Sequence, residues 1–465
     1  LIKIIVACRK NNMPKEYRMQ YKLSKSEWLS IGRKANWLNK FSSRNRSDGL
    51  VIFGISGDLA KKQIFSALHG LSRDGKLDMP VIGFAKESLS KKQLIERMRS
   101  NIEGAKEEII NSISERFQYI SGDIENPKSF ESLKKSIRGC KNPLIYLAIP
   151  PQAFKQTIIG LRNSGCNQGA RLMIEKPFGE DRKSARELNA VVHSAFNEED
   201  VFRVDHFLGK DGVCSILDIR FDEPDLDRFW NSKNIHSIEI SMIEDFDIRG
   251  RGEFYDNTGC IKDVVQNHLM QVLCFLCIEP YEAGDSLRDK KAELLSATEE
   301  VKPNNLVTGQ FTGYLKEPGV RSSSQTETYA AMKLAINNPR WRETTFHIRS
   351  GKSMPMTSTE VAIRMRRIPD IKWPSNCKVE DGLLRIQLET EQKIPTYEKL
   401  FSMAMDGDAT FFSRKDEVDH QWRIFDKVIK AKKETPKYPS GTWGPESSKV
   451  GPKEGWTEPL KSKKD

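Results

Sequence analysis

The sequence predicts an α/β domain followed by a larger α+β domain. The first is a parallel sheet with helices between its strands; the second is a mainly antiparallel sheet backed by helices. Three observations predict this. From Leu50 to about residue 200, short apolar runs alternate with helical periodicities, the pattern of a parallel sheet. From residue 235, extended apolar and β-branched runs follow one another with fewer helices between them, which suits antiparallel pairing. The chain of 465 residues is also long enough for two or three domains with substantial cores. The expected division is a basic, disordered or non-native arm over 1–49, a first domain over 50–200, a second over 201–445 and a disordered Lys/Gly/Pro-rich tail over 446–465.

The first domain opens on LVIF, 50–53, then GISGDLA and a helix to about Leu71 with Ile64, Leu68 and Leu71 on one face. Glycines at a turn between a first strand and its helix permit tight geometry and let backbone N–H groups approach a pyrophosphate. The expectation is therefore a Rossmann-type dinucleotide-binding domain, with Gly54, Ser56, Gly57, Asp58 and Leu59 lining the turn. A second strand, MPVIGFA, ends at Lys86. The end of this strand reads the ribose: an acid suits the 2′-hydroxyl of NAD, a cation the 2′-phosphate of NADP. Lys86 favours NADP, and Glu87 directly after it leaves NAD open as a second acceptor. Helices follow at 90–103, 127–138 and 181–195, with strands FQYIS, PLIYLAI and RLMIE. Asp123 follows the third strand, Pro150-Pro151 ends the fourth, and Lys176-Pro177 follows the fifth. A lysine just past the C-terminal end of a parallel strand faces the ligand crevice.

RVDHFLGK, 203–210, packs Arg203, Asp205, His206 and Lys210 among apolar residues, and Gly209 breaks the strand before a helix running to Phe221. His and Lys donors beside a fresh helix N-terminus can receive an anion; the plainer alternative is an ion pair at a strand end. In the second domain, IHSIEISMIED points Ile238, Ile240 and Met242 one way and closes on Glu244. A helix from about Gly259 to Glu279 carries Asp263, Asn267 and Gln271 at i, i+4 and i+8, with His268 beside them. Polar groups on so apolar a helix must meet a ligand or a hydrogen-bonded network. In α-helical geometry Asp263 and His268, five apart, stand about 140° around the axis.

Net charge is +11, of which 12 − 3 = +9 lies in residues 1–49 and only 11 − 9 = +2 in the rest. This basic balance describes a terminal arm, not a nucleic-acid-binding body. No apolar run reaches the roughly 18–20 residues of a membrane span. The eight cysteines show no secreted framework. The C-x-x-C of Cys274 and Cys277 sits inside the apolar run VLCFLCI, so core packing is expected rather than metal or redox use. Reduced thiols fit a cytoplasmic protein.

RVDHFLGK resembles the R-I-D-H-Y-L-G-K motif of glucose-6-phosphate dehydrogenases. GISGDLAKK at 54–62, EKPFG at 175–179 and IKDVVQNHLMQ at 261–271 agree in order, and the resemblance covers roughly residues 50–445. It implies an NADP-dependent oxidoreductase making 6-phosphoglucono-lactone, the entry to the oxidative pentose phosphate pathway, without a metal. It implies His268 as general base and Asp205 as the carboxylate orienting it. It gives Lys176, His206, Lys210, Glu244, Asp263 and Lys352 contacts to glucose 6-phosphate. To Gly54, Ser56, Gly57, Asp58, Leu59, Lys86, Asp123, Pro150, Lys176 and Pro177 it gives contacts to the dinucleotide. Homodimers or homotetramers are the family's assemblies.

Three departures qualify the resemblance. Phe207 replaces the usual Tyr, removing one phosphate hydrogen bond worth about 1–2 kcal/mol. Asp247 and Arg249 break the usual G-x-E-x-R-G loop, while Arg251 and Gly252 are retained. After LLRIQLETEQKI the chain passes almost directly to YEKLFSMAMDGDATFF, where the family has further sheet strands and a substrate-side glutamine. The alternatives are a related sugar oxidoreductase with another sugar, or a degenerate homologue that binds nucleotide without turnover.

Overall fold

The computed structural model describes residues 46–222, 226–280, 285–371, 373–431 and 434–461. The basic arm up to residue 45 lies outside the described residues. The chain divides into two compact units, residues 1–209 with 392–418, and residues 210–391 with 419–465.

The first unit is a six-stranded parallel sheet in the order β3-β2-β1-β4-β5-β6. The strands are β1 Leu50–Phe53, β2 Val81–Ala85, β3 Phe117–Ser121, β4 Leu144–Leu147, β5 Arg171–Glu175 and β6 Val201–Val204. Helices alternate with them: α1 Phe65–Arg73, α2 Lys91–Ser100, α3 Glu107–Arg116, α4 Pro127–Ser136, α5 Phe154–Ser164 and α6 Arg182–His193. Both faces of the inner strands are covered, so β1 and β4 are wholly apolar and, with β6, buried at every position, while the edge strand β3 keeps Gln118 and Ser121 exposed. One face joins Leu50, Ile52 and Tyr146 to Leu68 and Ile110; the other joins Val51, Phe53 and Ile145 to Phe130 and Ile158.

The boundary expected at residue 200 is moved. β6 pairs in parallel with β5, Ile174 opposite Arg203, so the first unit runs to Gly209. It also takes back residues 392–418, whose helix Thr396–Asp406 packs Leu400, Phe401 and Met405 into the first core. That helix closes a sheet face which the first 209 residues leave open, a long-range contact that local periodicity does not register.

The second unit holds eight strands in the order β12-β13-β11-β7-β10-β9-β8-β14. They are β7 Ile235–Ile243, β8 Leu306–Phe311, β9 Tyr329–Leu334, β10 Thr345–Gly351, β11 Ser358–Met365, β12 Cys377–Glu380, β13 Leu383–Gln387 and β14 Lys437–Tyr438. Pairing is antiparallel except β7 with β10 and β8 with β14. Cys274 and Cys277 are fully buried in the core, as expected.

The described part of the tail corrects the expectation of disorder beyond 446. Ser237, Glu239 and Ser241, the polar alternate positions of β7, are all buried. Residues 446–461 of the same unit supply partners for Glu239 and for Arg349, which in turn donates to Ser241 (2.9 Å). Thr457 donates to Glu239 from its backbone N (2.8 Å) and its Oγ1 (2.7 Å). Leu460 N donates to Glu360 (3.0 Å), and Arg385 donates to the carbonyl of Glu458 (2.6 Å). The Arg349 guanidinium lies 5.2 Å from the Trp443 ring and 4.8 Å from that of Trp456. Lys/Gly/Pro composition reads as disorder, but these contacts come largely from backbone atoms, which composition does not report. Burial pushes the Glu239 carboxyl above its ordinary range despite its bonds to Thr457. Thr457→Val removes one of those bonds and should cost about 1 kcal/mol, read as a lower urea midpoint at unchanged m-value.

Candidate functional site

In the first unit the strand order reverses between β1 and β4, and ligands of such sheets bind outside the strand ends at that point. The turn there is GISGDLA. Gly54 has φ +80°, and a Cβ on it would stand 2.2 Å from the Ala148 carbonyl oxygen at the end of β4, so only glycine fits. Gly54 N donates to Phe84 O (2.8 Å) and Gly57 N to Gly54 O (2.9 Å). Ser56, Gly57, Asp58 and Leu59 follow, with Gly57 and Asp58 exposed. A π-helical turn, Ala60–Ile64, then leads into α1. Pro150 is exposed just beyond β4.

At the ends of β2 and β3, Lys86 Nζ pairs with Asp123 at 3.0 Å. Glu87 takes a two-pronged bond from Arg97, 2.9 Å at each oxygen. Arg97 Nη1 also donates to Ser56 O in the glycine turn, at 3.4 Å. Arg97 was missed by sequence reasoning: it lies in α2, and nothing in its neighbourhood marks it as near the turn. A glycine turn closed to a Cβ at Gly54, at a switch point flanked by two cations, fits a nicotinamide dinucleotide.

At the end of β5, the Glu175 Oε1 accepts from the hydroxyls of Tyr146 (2.7 Å) and Tyr397 (3.2 Å). Desolvation raises this carboxyl to about 7, against the opposing pull of the two tyrosines and Lys176. Lys176 and Pro177 follow directly, through a cis peptide bond, and are half-buried. Arg203 in β6 is fully buried and donates to Glu198 (2.6 and 3.1 Å) and Asn189 (2.7 Å). The ion-pair alternative thus describes Arg203. Asp205, also buried, accepts from Phe207 N at 3.0 Å and starts the turn His206–Gly209, with His206 half-buried.

In the second unit, Lys210 precedes helix Asp211–Phe221. The parallel register of β7 and β10 sets Ile243 opposite Gly351, so the next residues, Glu244 and Lys352, meet in an ion pair. The Lys352 ammonium also lies 4.8 Å from the centre of the Phe246 ring. The long helix expected from Gly259 departs from plan. Gly259 kinks it (φ +69°, ψ 173°), Ile261–Leu269 is π-helical, and α-helix resumes over Met270–Cys277. π-Helical bonds run from i to i+5, so residues five apart share a face. Asp263 and His268 are thereby brought together on one side of the turn, where α-helical geometry keeps them apart. His268 is buried and Asp263 half-buried. Asn267 Nδ2 donates back to Lys262 O at 2.8 Å, also five residues away. π-Helical turns are rare and concentrate at functional sites; here one follows the glycine turn and the other carries His268.

Sequence models of the family match both units. The model described as glucose-6-phosphate dehydrogenase, NAD binding domain, covers residues 51–214, and that of the C-terminal domain covers 217–396 and 383–454. The chain belongs to the glucose-6-phosphate dehydrogenase family. The two segments matched by the C-terminal model overlap at 383–396, the region where the sequence departs from the family pattern. Glucose-6-phosphate 1-dehydrogenase 1 of Mycobacterium tuberculosis (strain CDC 1551 / Oshkosh) is 36% identical over 450 residues, spanning 89% of this chain and 97% of that protein. The enzyme of Chlamydia muridarum (strain MoPn / Nigg) is 31% identical over 475 residues, 86% of this chain and 94% of that one. The crystal structure of glucose-6-phosphate 1-dehydrogenase from Mycobacterium avium superposes with TM-score 0.81 at 34% identity, covering 90% of this chain and 100% of that one. A glucose-6-phosphate dehydrogenase solved with its substrate glucose 6-phosphate also gives 0.81, at 29% identity and the same coverage. As a member of this glucose-6-phosphate dehydrogenase family, the chain is an oxidoreductase with a nicotinamide dinucleotide cofactor. Among its described residues no helix is long and apolar enough to cross a membrane.

Proposed function

We infer that the protein oxidises C1 of glucose 6-phosphate to 6-phosphoglucono-1,5-lactone with NADP as the preferred acceptor. The observation that carries this is the match over the full length of a relative solved with glucose 6-phosphate. The bound dinucleotide supplies the hydride acceptor. Gly54, Ser56, Gly57, Asp58 and Leu59 hold its pyrophosphate. Lys86, Asp123, Pro150 and Pro177 contact its remaining parts. His268 takes the proton from the C1 hydroxyl as C1 gives up hydride, and Asp205 offsets the charge the imidazole then carries. His206 and Lys210 hold the 6-phosphate, and Lys176, Glu244, Asp263 and Lys352 address the sugar. Gripping a remote dianion orients C1, so phosphate binding contributes to rate as well as affinity.

The test is formation of reduced dinucleotide, followed at 340 nm, with glucose 6-phosphate against glucose and NADP against NAD. Turnover should require the phosphorylated sugar, with kcat/KM for glucose lower by about 100-fold or more. Folded protein that binds dinucleotide but reduces none with excess glucose 6-phosphate would sink the reading.

A further inference from the structure

Strand β2 is followed by a cation and then an acid, Lys86 and Glu87. Sequence rules for the ribose end of a dinucleotide site assign these opposite preferences. The structure shows how the two are balanced. The side chain of Lys86 is 84% exposed and its ammonium meets Asp123. Glu87 is held differently. Both of its oxygens take guanidinium N–H groups of Arg97 at 2.9 Å, the fork geometry in which arginine binds carboxylates and phosphates best. The same guanidinium reaches Ser56 O at 3.4 Å, which places the pair beside the glycine turn. Tyr119 fixes the Glu87 backbone by donating to its carbonyl oxygen at 2.6 Å. Arg97 sits in a helix whose start is secured by a Ser90–Gln93 capping box, so its guanidinium is presented from a rigid element. The Arg97 bond holds the Glu87 carboxyl below its ordinary range, so it is an anion at neutral pH.

We propose that Arg97 and Glu87 set the choice between NADP and NAD: Arg97 masks the acid and offers its remaining guanidinium N–H groups to the ribose 2′-phosphate, and Glu87, by holding the fork, tempers that preference. The proposal rests on the dinucleotide reading of the glycine turn and adds to it a specificity-determining pair. Two ion pairs stand at the ends of β2 and β3, Lys86 with Asp123 and Arg97 with Glu87, with Lys61 and Glu125 adding one further charge of each sign. They cancel, so the intact site neither repels a 2′-phosphate nor binds it as a purely cationic site would. Losing Arg97 leaves the site net negative with an unmasked acid suited to a 2′-hydroxyl. Losing the charge of Glu87 leaves it net positive with the fork released.

The experiment titrates folded protein with NADPH and with NADH, by fluorescence and without sugar, for wild type, Arg97→Met, Glu87→Gln and Arg99→Met. Arg99 is on the same helix and pairs instead with Glu96 and Glu107, so it controls for loss of a charge alone. The ratio of NADPH to NADH affinity should fall about tenfold in R97M and rise about tenfold in E87Q, with R99M unchanged. A purely structural pair would weaken both dinucleotides equally and leave the ratio still. The proposal is overturned if R97M and E87Q keep the wild-type ratio within about twofold, or if R99M moves it as far as R97M. Wild type that binds neither dinucleotide refutes the dinucleotide reading itself, an outcome separate from binding with an unmoved ratio.

Discussion

His268→Asn should lower kcat by about 10²–10⁴-fold, the usual worth of a positioned general base, while KM for glucose 6-phosphate changes only a few-fold. Asparagine keeps a planar polar side chain at a buried position, so the π-helical turn should survive. It cannot accept a proton at neutral pH. Affinity for the sugar phosphate is assigned elsewhere, to His206, Lys210 and Lys352, so loss should fall on the chemical step. An interaction made only in the transition state lowers kcat and kcat/KM together, and steady-state assays separate this from a binding defect. Two comparisons sharpen it. NADPH titration of the variant should match wild type, showing an intact first unit. Asp263→Asn, on the same face of the same turn, should instead raise KM and leave more of kcat. If H268N retains more than about a tenth of wild-type kcat, another group takes the proton and the base must be sought elsewhere.

The two halves of the candidate site differed in how legible they were. The glycine turn could be read from LVIF and GISGDLA because the backbone demands there are local. A strand must stop, φ must turn positive at Gly54, and Ala148 O leaves no room for a Cβ. FQYIS and RLMIE are strands over the very residues predicted, RLMIE because a strand buried on both faces is a short apolar block and the edge strand FQYIS because aromatic and β-branched residues favour extended backbone. The partnership of Glu244 and Lys352 was hidden, because it depends on β7 and β10 pairing in parallel across 108 residues. The face shared by Asp263 and His268 was misjudged for another reason. Periodicity arguments assume 3.6 residues per turn, and a π-helical stretch shifts each later residue around the axis. The tail failed by composition: Thr457, Glu458 and Leu460 bind through backbone groups that every residue owns. Tyr397 reaches Glu175 from 222 positions away, on a helix that nothing near β5 announces.

That last contact gives the second large expectation. Glu175→Gln should be neutral to stability near pH 3.5 and stabilising near pH 8.5. The wild-type carboxyl is raised from 4.5 to about 7, chiefly by desolvation, with Asp205 nearby adding to the rise and Lys176, Tyr146 and Tyr397 opposing it. A carboxyl that binds its proton more tightly folded than unfolded costs nothing well below pH 4.5, where both states are protonated. Stability then falls as pH climbs from there through about 7, where the folded form ionises, and levels off above. At 1.36 kcal/mol for each factor of ten in proton affinity, the interval amounts to about 3 kcal/mol as an upper bound. Glutamine keeps an oxygen where Oε1 accepts both tyrosine hydroxyls and never ionises. Urea midpoints at a series of pH values should therefore show wild type and E175Q coinciding in acid and separating in base, with the variant above. Parallel curves would mean that the carboxyl titrates normally and that the desolvation argument fails. The position next to Lys176 extends the consequence to the crevice. An ionised Glu175 sets a negative charge beside the lysine that the function assigns to substrate and cofactor. E175Q should thus flatten the dependence of dinucleotide affinity on pH between 6 and 8, by removing the share that ionisation of this buried acid contributes.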